Sequence, residues 1–414
     1  MGAPSLIALL LTLTGLFAYV NHRFLGLPLS VGLMGLSLTF SLLLIVGEHL
    51  GLPLRGWATS TVAHINFSEA LLDGMLSFML FAGALHVDLD ELREQKVTVA
   101  ILATVGVLIS TALVGFSTWI AFPFLGLSLP LLGCLTFGAL ISPTDPIAVM
   151  GLLKQIKAPK SLSTKIAGES LFNDGVGIVV FLLILRMWAT GSDSIHWVHT
   201  IELLVREVGG GITLGLLLGY LCYVLLRSID NYQVEVMLTL AFVSGGYEMA
   251  SALHASGPLA IVTAGIYVGN YGRKRAMTER TRQHLDAFWE MVDEILNGIL
   301  FVLIGLEILV LTFQRGYIAA ALVTIPLVLA ARILSLAFPL LAMRVFQGAE
   351  TPISILTWGG LRGGLSIAMA LSLPPSGARE IIVICTYAVV AFAILVQATT
   401  MPWLLKTVLK TERV

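Results

Sequence analysis

Long apolar runs, separated by short polar stretches and by glycine and proline, set the pattern of this chain. Thirteen can be drawn, running approximately from 5 to 21, 29 to 48, 65 to 86, 97 to 122, 129 to 153, 162 to 188, 200 to 227, 233 to 253, 256 to 272, 284 to 312, 316 to 343, 352 to 373 and 379 to 405. A helix needs about 20 apolar residues to cross the hydrocarbon of a bilayer, because lipid satisfies no free backbone amide or carbonyl. The pattern therefore predicts an all-α polytopic membrane protein of about 13 transmembrane helices.

If spans 1–6 and 8–13 are two halves joined by span 7, an odd number of crossings separates equivalent helices, and the halves form an inverted repeat. The fifth span of each half is interrupted. Ser142-Pro143-Thr144-Asp145-Pro146 breaks span 5, and Gly359-Gly360-Leu361-Arg362-Gly363-Gly364 breaks span 12. Corresponding breaks of this kind point to a binding site near the membrane midplane, built where two broken helices cross.

Composition agrees with the pattern: of 414 residues, 57% are hydrophobic and 12% charged, with a mean hydropathy of +0.93, outside the range of soluble domains. The net charge of −1 and the lack of basic stretches interleaved with aromatics exclude nucleic acid as a partner. Cys134, Cys222 and Cys385 lie inside apolar runs without metal-ligand spacing and read as packing residues. The basic clusters Lys154/Lys157/Lys160/Lys165, Arg273/Lys274/Arg275/Arg280/Arg282 and Lys406/Lys410/Arg413 fall on one side of a thirteen-span chain. Arg55, Arg186, Arg315 and Arg379 fall on the other. Cytoplasmic loops carry the excess of Lys and Arg, so the N-terminus is expected outside and the C-terminus in the cytoplasm. The apolar start, with Arg23 its first basic residue, reads as a retained span.

A charge at the bilayer centre costs roughly 2.5–3.5 kcal/mol even on lenient insertion scales, so each charge within a span needs a reason. Span 6 reads Gly168-Glu169-Ser170-Leu171-Phe172-Asn173-Asp174-Gly175. Residues four apart share a helical face, so Ser170 and Asp174 present a hydroxyl and a carboxylate to one point, with Glu169 and Asn173 stacked beside them. In span 5 each proline removes an amide donor, leaving carbonyls around Thr144 to ligate a cation, and Thr144 adds its own oxygen. Asp145 is assigned mainly to balancing half-helix dipoles. A buried aspartate that gives up its proton as a cation arrives, and regains it as the cation leaves, is an exchanger. Asp174 is that residue, and its neutral neighbour Asn173 fits an electroneutral exchange of one proton per monovalent cation. Glu169 needs a buried cation, Arg332 or Arg362.

Glu69, Asp73, Glu248 and Glu307 read equally well as interfacial groups, and Glu290, Asp293 and Glu294 as the wet start of span 10. The histidines carry no assigned role. A passive cation channel is the alternative function; a single asymmetric acidic cluster between broken helices, with no repeated filter, favours alternating access. An intramembrane aspartyl protease would need a GxGD motif, which the chain lacks, so no enzyme is expected.

These motifs, with Phe301-Val302-Leu303-Ile304-Gly305-Leu306-Glu307 and Trp358-Gly359-Gly360-Leu361-Arg362-Gly363, resemble the NhaP-type bacterial and archaeal sodium/proton antiporters, relatives of the animal sodium/proton exchangers. The resemblance spans nearly the whole chain. It implies a multi-pass protein of the cell (inner) membrane serving pH homeostasis, which carries Na⁺, Li⁺ or K⁺ against H⁺ and needs no cofactor beyond the transported ion. It implies a six-helix ion-transporting core (93–189 and 315–408) and a scaffold domain (1–92 and 190–314) that forms a homodimer. Carried over by position, Asp174, Ser170 and Thr144 would bind Na⁺, and a buried arginine, better matched by Arg332 than by Arg362, would hold Glu169 and Asn173. One departure stands out: relatives place an acid before the Ala-Gly of a Leu-Phe-acid-Ala-Gly motif, whereas Leu80-Phe81 runs directly into Ala82-Gly83. Asp73 and Glu69 are the accessory acids available instead.

Overall fold

A computed structural model describes residues 3–49, 70–146, 149–150, 153, 160–190, 197–309, 314–347 and 353–411. Arg55, Glu69, Lys154, Lys157 and Arg413 lie outside the described residues. Within them the regular elements are helices, and the one extended contact is an isolated bridge between Asp145 and Leu361.

Helix α1 (Ala3–Val20) passes into a π-helical turn, Asn21–Leu25, and stops at Gly26, whose φ of 63° places it in the left-handed region that glycine tolerates best. Helix α2 (Leu29–His49) follows, and a π-helical turn, Ala70–Met75, leads into α3 (Leu76–Leu85). Asp73 belongs to that turn. Helix α4 (Leu89–Ile101) starts where the Asp88 carboxylate accepts the Asp90 amide at 2.8 Å, and runs through the turn Leu102–Gly106 into α5 (Val107–Ala121). Then come α6 (Leu131–Ile141), α7 (Lys160–Thr190) and α8 (Trp197–Arg227). Side-chain caps at Asn231, Ser256 and Thr278 open α9 (Tyr232–Ala252), α10 (Gly257–Tyr267) and α11 (Glu279–Glu307). Helix α12 (Arg315–Gln347) precedes α13 (Ile353–Gly359) and α14 (Gly364–Leu371), the two pieces of the second broken span. Helix α15 (Gly377–Phe392) continues through the turn Ala393–Gln397 into α16 (Ala398–Thr411).

Seven helical runs among the described residues are long and apolar enough to cross a membrane by themselves: Ile7–Leu25, Leu29–Gly47, Leu89–Leu125, Leu162–Ala189, Val205–Arg227, Gly316–Ala342 and Gly377–Val408. Leu76–Leu85 and Leu131–Ile141 are apolar but shorter. Hydropathy alone runs a broken helix together as one span. Here the prolines and glycines divide it, because a proline withholds the amide that the next turn would use.

Of the four buried apolar clusters among the described residues, two frame the site. Val114, Phe137, Phe181, Val328, Met369 and Val389 belong to one, built by α5, α6, α7, α12, α14 and α15. Leu80, Leu226, Val243, Ile261 and Trp289 belong to the other, built mainly by α3, α8, α9, α10 and α11. Helices from both clusters wall the cavity described next.

Candidate ion-binding site

The two breaks meet. After α6 the chain is extended, and the Asp145 amide donates to the Leu361 carbonyl at 2.8 Å, tying the first break to the second. Helical bonding then resumes, with the Met150 amide donating to Pro146 O at 2.8 Å. The approach is close enough to demand glycine: a methyl on Gly363 would stand 2.6 Å from Asp145 Oδ2. Arg362 donates through Nη1 to the Ser142 and Pro143 carbonyls, the latter at 2.9 Å, at the C-terminal end of α6. The Asp145 carboxylate lies beside Gly363, the residue that caps the N-terminus of α14. Each charge thus faces the opposite partial charge of the other broken helix. The expectation that the proline-freed carbonyls face a cation is corrected here for Ser142 and Pro143, because the Arg362 guanidinium occupies both.

Helix α7 supplies the second half of the site. Asn173, 1% exposed, clamps Thr144 from both sides: its Oδ1 accepts the Thr144 amide at 3.2 Å, and its Nδ2 donates to Thr144 Oγ1 at 2.8 Å. One turn earlier, Ser170 Oγ lies 2.8 Å from the same Thr144 Oγ1. A hydroxyl accepts twice and donates once. Asn173 takes one lone pair of Thr144 Oγ1, and the Ser170 hydroxyl shares the remaining bonding capacity as donor or acceptor. Glu169 points away from this cluster, and its Oε1 accepts Arg332 Nη1 at 2.5 Å, with the two side chains 2% and 8% exposed. Arg332 Nη2 donates to the Leu356 carbonyl at 3.2 Å. Of the two arginines left open for Glu169, Arg332 forms the ion pair, and Arg362 goes instead to the α6 carbonyls. Among the described residues Asn173 is held by Thr144, with no bond to an arginine.

Asp174 is half-buried and, with Thr144 and Asp145, lines a cavity of about 340 Å³. The walls across it come from α3 and α11. Ala82 and Gly83 line it where related motifs carry an acid, so that position contributes no carboxylate. His86 lines it too, its Nδ1 2.9 Å from the Ala82 carbonyl. Glu290, Asp293 and Glu294 are also on the wall. Asn297 Nδ2 donates to Asp293 Oδ1 at 3.0 Å and fixes that carboxylate.

Residues 7–407 match the family model for the transmembrane domain of sodium/hydrogen exchangers. The chain belongs to the sodium/hydrogen exchanger family. Within this family it is 48% identical over 398 residues to the Na(+)/H(+) antiporter NhaP of Pseudomonas aeruginosa, covering 95% of this chain and 94% of that protein. It is 34% identical over 374 residues to the Na(+)/H(+) antiporter NhaH of Halobacillus aidingensis, covering 88% and 90%. Its fold is similar to that of the sodium proton antiporter MjNhaP1 from Methanocaldococcus jannaschii, with a TM-score of 0.76 at 21% identity over 98% of each chain. The resemblance to NhaP-type antiporters read from the motifs is thereby upheld.

Among the sequence-derived site residues of this family member, Asp174, Ser170, Thr144, Asp145 and Asn173 come together at the crossing. The Glu169–Arg332 pair and Arg362 form two separate braces around it. Glu248 is exposed on α9 and lies outside the cavity wall, whereas Glu307, read as a group near the interface, is buried. Glu290, Asp293 and Glu294 were read as a wet helix start, yet their i, i+3, i+4 spacing already put them on one face.

Proposed function

We propose that this protein is a secondary antiporter that exchanges Na⁺ for H⁺ across the cell (inner) membrane, one for one, with Asp174 as the shared cation and proton site. The observation that carries the reading is the convergence of Asp174, Thr144 and Asp145 on one cavity where two broken helices cross. Family membership and the antiporter relatives support exchange over a passive channel. Na⁺ binds to the Asp174 carboxylate and to oxygens of the Thr144–Ser170 pair, which Asn173 orients. Its departure lets a proton take the carboxylate. Asn173 is neutral and Asp145 is matched to the start of α14, so a single carboxylate titrates and each half-cycle carries one positive charge.

Alternating access follows if the core segments 93–189 and 315–408 move against the scaffold segments 1–92 and 190–314 in a thirteen-span inverted repeat. In support, one buried cluster falls wholly within the core segments, while the largest joins residues of both sets, and α3 and α11, from the scaffold segments, wall the cavity together with Asp174. The scaffold segments then form the homodimer interface. The N-terminus lies outside, the C-terminus lies in the cytoplasm, and the acid-lined mouth at Glu290, Asp293 and Glu294 faces the cytoplasm, where it gathers cations. Glu290 sits about three helical turns from the basic start of α11.

Proteoliposomes carrying a trapped pH dye test the reading. Added Na⁺ should drive proton movement of the same size with the membrane potential clamped or free, and Asp174→Ala should abolish it. A current-carrying response would refute the one-for-one exchange, and exchange surviving in Asp174→Ala would refute the site.

A further inference from the structure

We propose that Ser366 supplies an oxygen ligand to the transported cation from the second broken helix, an assignment that rests on the cavity being the transport site. Ser366 belongs to the cavity wall together with Asp174, Thr144 and Asp145. It is 1% exposed, and among the described residues its Oγ has no hydrogen-bond partner. A buried hydroxyl without a partner is rare in a folded protein, since its lost hydration is not replaced.

The backbone explains why the hydroxyl is left open. A serine inside a helix settles its Oγ on a carbonyl three or four residues back. Ser372 does so on Met369 O at 2.8 Å, and Ser335 on Arg332 O at 3.0 Å. Ser366 is the third residue of α14, so the residues three and four before it are Gly363 and Arg362, which precede the helix. Gly363 is extended, with φ −117° and ψ −166°, and the preceding peptides are not stacked as a helical turn. The break that creates the crossing therefore takes away the acceptor four residues back, and the Oγ makes no bond to the remaining one, the Gly363 carbonyl.

What remains is a buried, unpartnered oxygen on a residue of the wall that holds the other candidate ligands. A hard cation stripped of water is satisfied by carboxylate, hydroxyl and carbonyl oxygens. A neutral hydroxyl adds to the coordination without adding charge, so Ser366 leaves the one-proton balance on Asp174 unchanged. The ligands then come from both breaks: Thr144 beside the first, Ser366 just after the second, and Asp174 from α7.

The test is Na⁺-driven proton exchange in proteoliposomes over a range of Na⁺ concentrations, for Ser366→Ala and for the near-isosteric Ser366→Cys. Loss of one contact of hydrogen-bond class predicts a rise in the KM for Na⁺ of about tenfold, with the maximal rate retained and with unequal changes for Na⁺ and Li⁺. The Na⁺-dependent rise in unfolding temperature of the purified variants reads the same affinity without transport. An unchanged KM in both variants, or a lowered maximal rate at unchanged KM, would overturn the assignment and leave Ser366 a packing residue. Asp174→Ala, measured in parallel, separates the two failures: exchange surviving there defeats the reading of the cavity itself.

Discussion

Replacing Glu169 by glutamine tests the brace behind the site. The substitution keeps the volume and removes the charge, leaving the Arg332 guanidinium buried without its counter-ion. Arg332 is 6% exposed, and its other bonded partner is the neutral Leu356 carbonyl. Removing one member of a buried ion pair costs about 3–5 kcal/mol, which corresponds to about two to three and a half orders of magnitude in the unfolding equilibrium. Unfolding of the purified protein, followed by the fluorescence of its seven tryptophans, should show that loss, together with a lower folded yield. The double variant Glu169→Leu with Arg332→Met removes both charges and should recover most of the stability. The KM for Na⁺, measured on the folded fraction, should stay within about twofold of the parent, since a shift of that size is under 0.5 kcal/mol. A Glu169→Gln protein that unfolds like the parent but has lost Na⁺ affinity would refute the reasoning and make Glu169 a ligand.

Three further outcomes follow from the same geometry. Gly363→Ala would place a methyl 2.6 Å from Asp145 Oδ2 and push the two breaks apart; exchange rates in proteoliposomes should fall at least tenfold, and a rate equal to the parent's would contradict the close crossing. Arg362→Lys keeps the charge but loses the planar guanidinium that reaches the Ser142 and Pro143 carbonyls, so the unfolding temperature should drop, with a cost of about 1–3 kcal/mol for the exposed acceptors. Asn173→Ala removes both bonds to Thr144 and should raise the KM for Na⁺ several-fold, whereas an unaltered KM would show that Thr144 does not need the clamp.

Much of the arrangement was legible as local pattern. The breaks at Pro143-Thr144-Asp145-Pro146 and at Gly359–Gly364 could be read because proline and glycine act on their own turns. Glu169, Ser170, Asn173 and Asp174 shared one part of a helix by spacing alone. Spacing alone did not say which arginine meets Glu169, because Arg332 and Arg362 are equally charged; the resemblance favoured Arg332, and the helix crossing brings it within 2.5 Å. The role of Arg362 was hidden for the same reason, since its acceptors are carbonyls about 220 residues earlier in the chain.

The acids of α11 show the limit from another side. Glu290, Asp293 and Glu294 look like a solvated helix start in sequence, and their place in the cavity depends on α11 packing across from Asp174. Ser366 gave no signal at all, because an isolated serine in an apolar helix commonly bonds to its own backbone.

By itself, the sequence determined the helical membrane class and the two interrupted spans and singled out Asp174 as the acid proposed for exchange, since hydropathy, proline geometry and helical spacing act over a few residues. Only the tertiary structure decided which charges pair, which carbonyls are already taken and which oxygens share the cavity, because those depend on distances between helices remote in the chain.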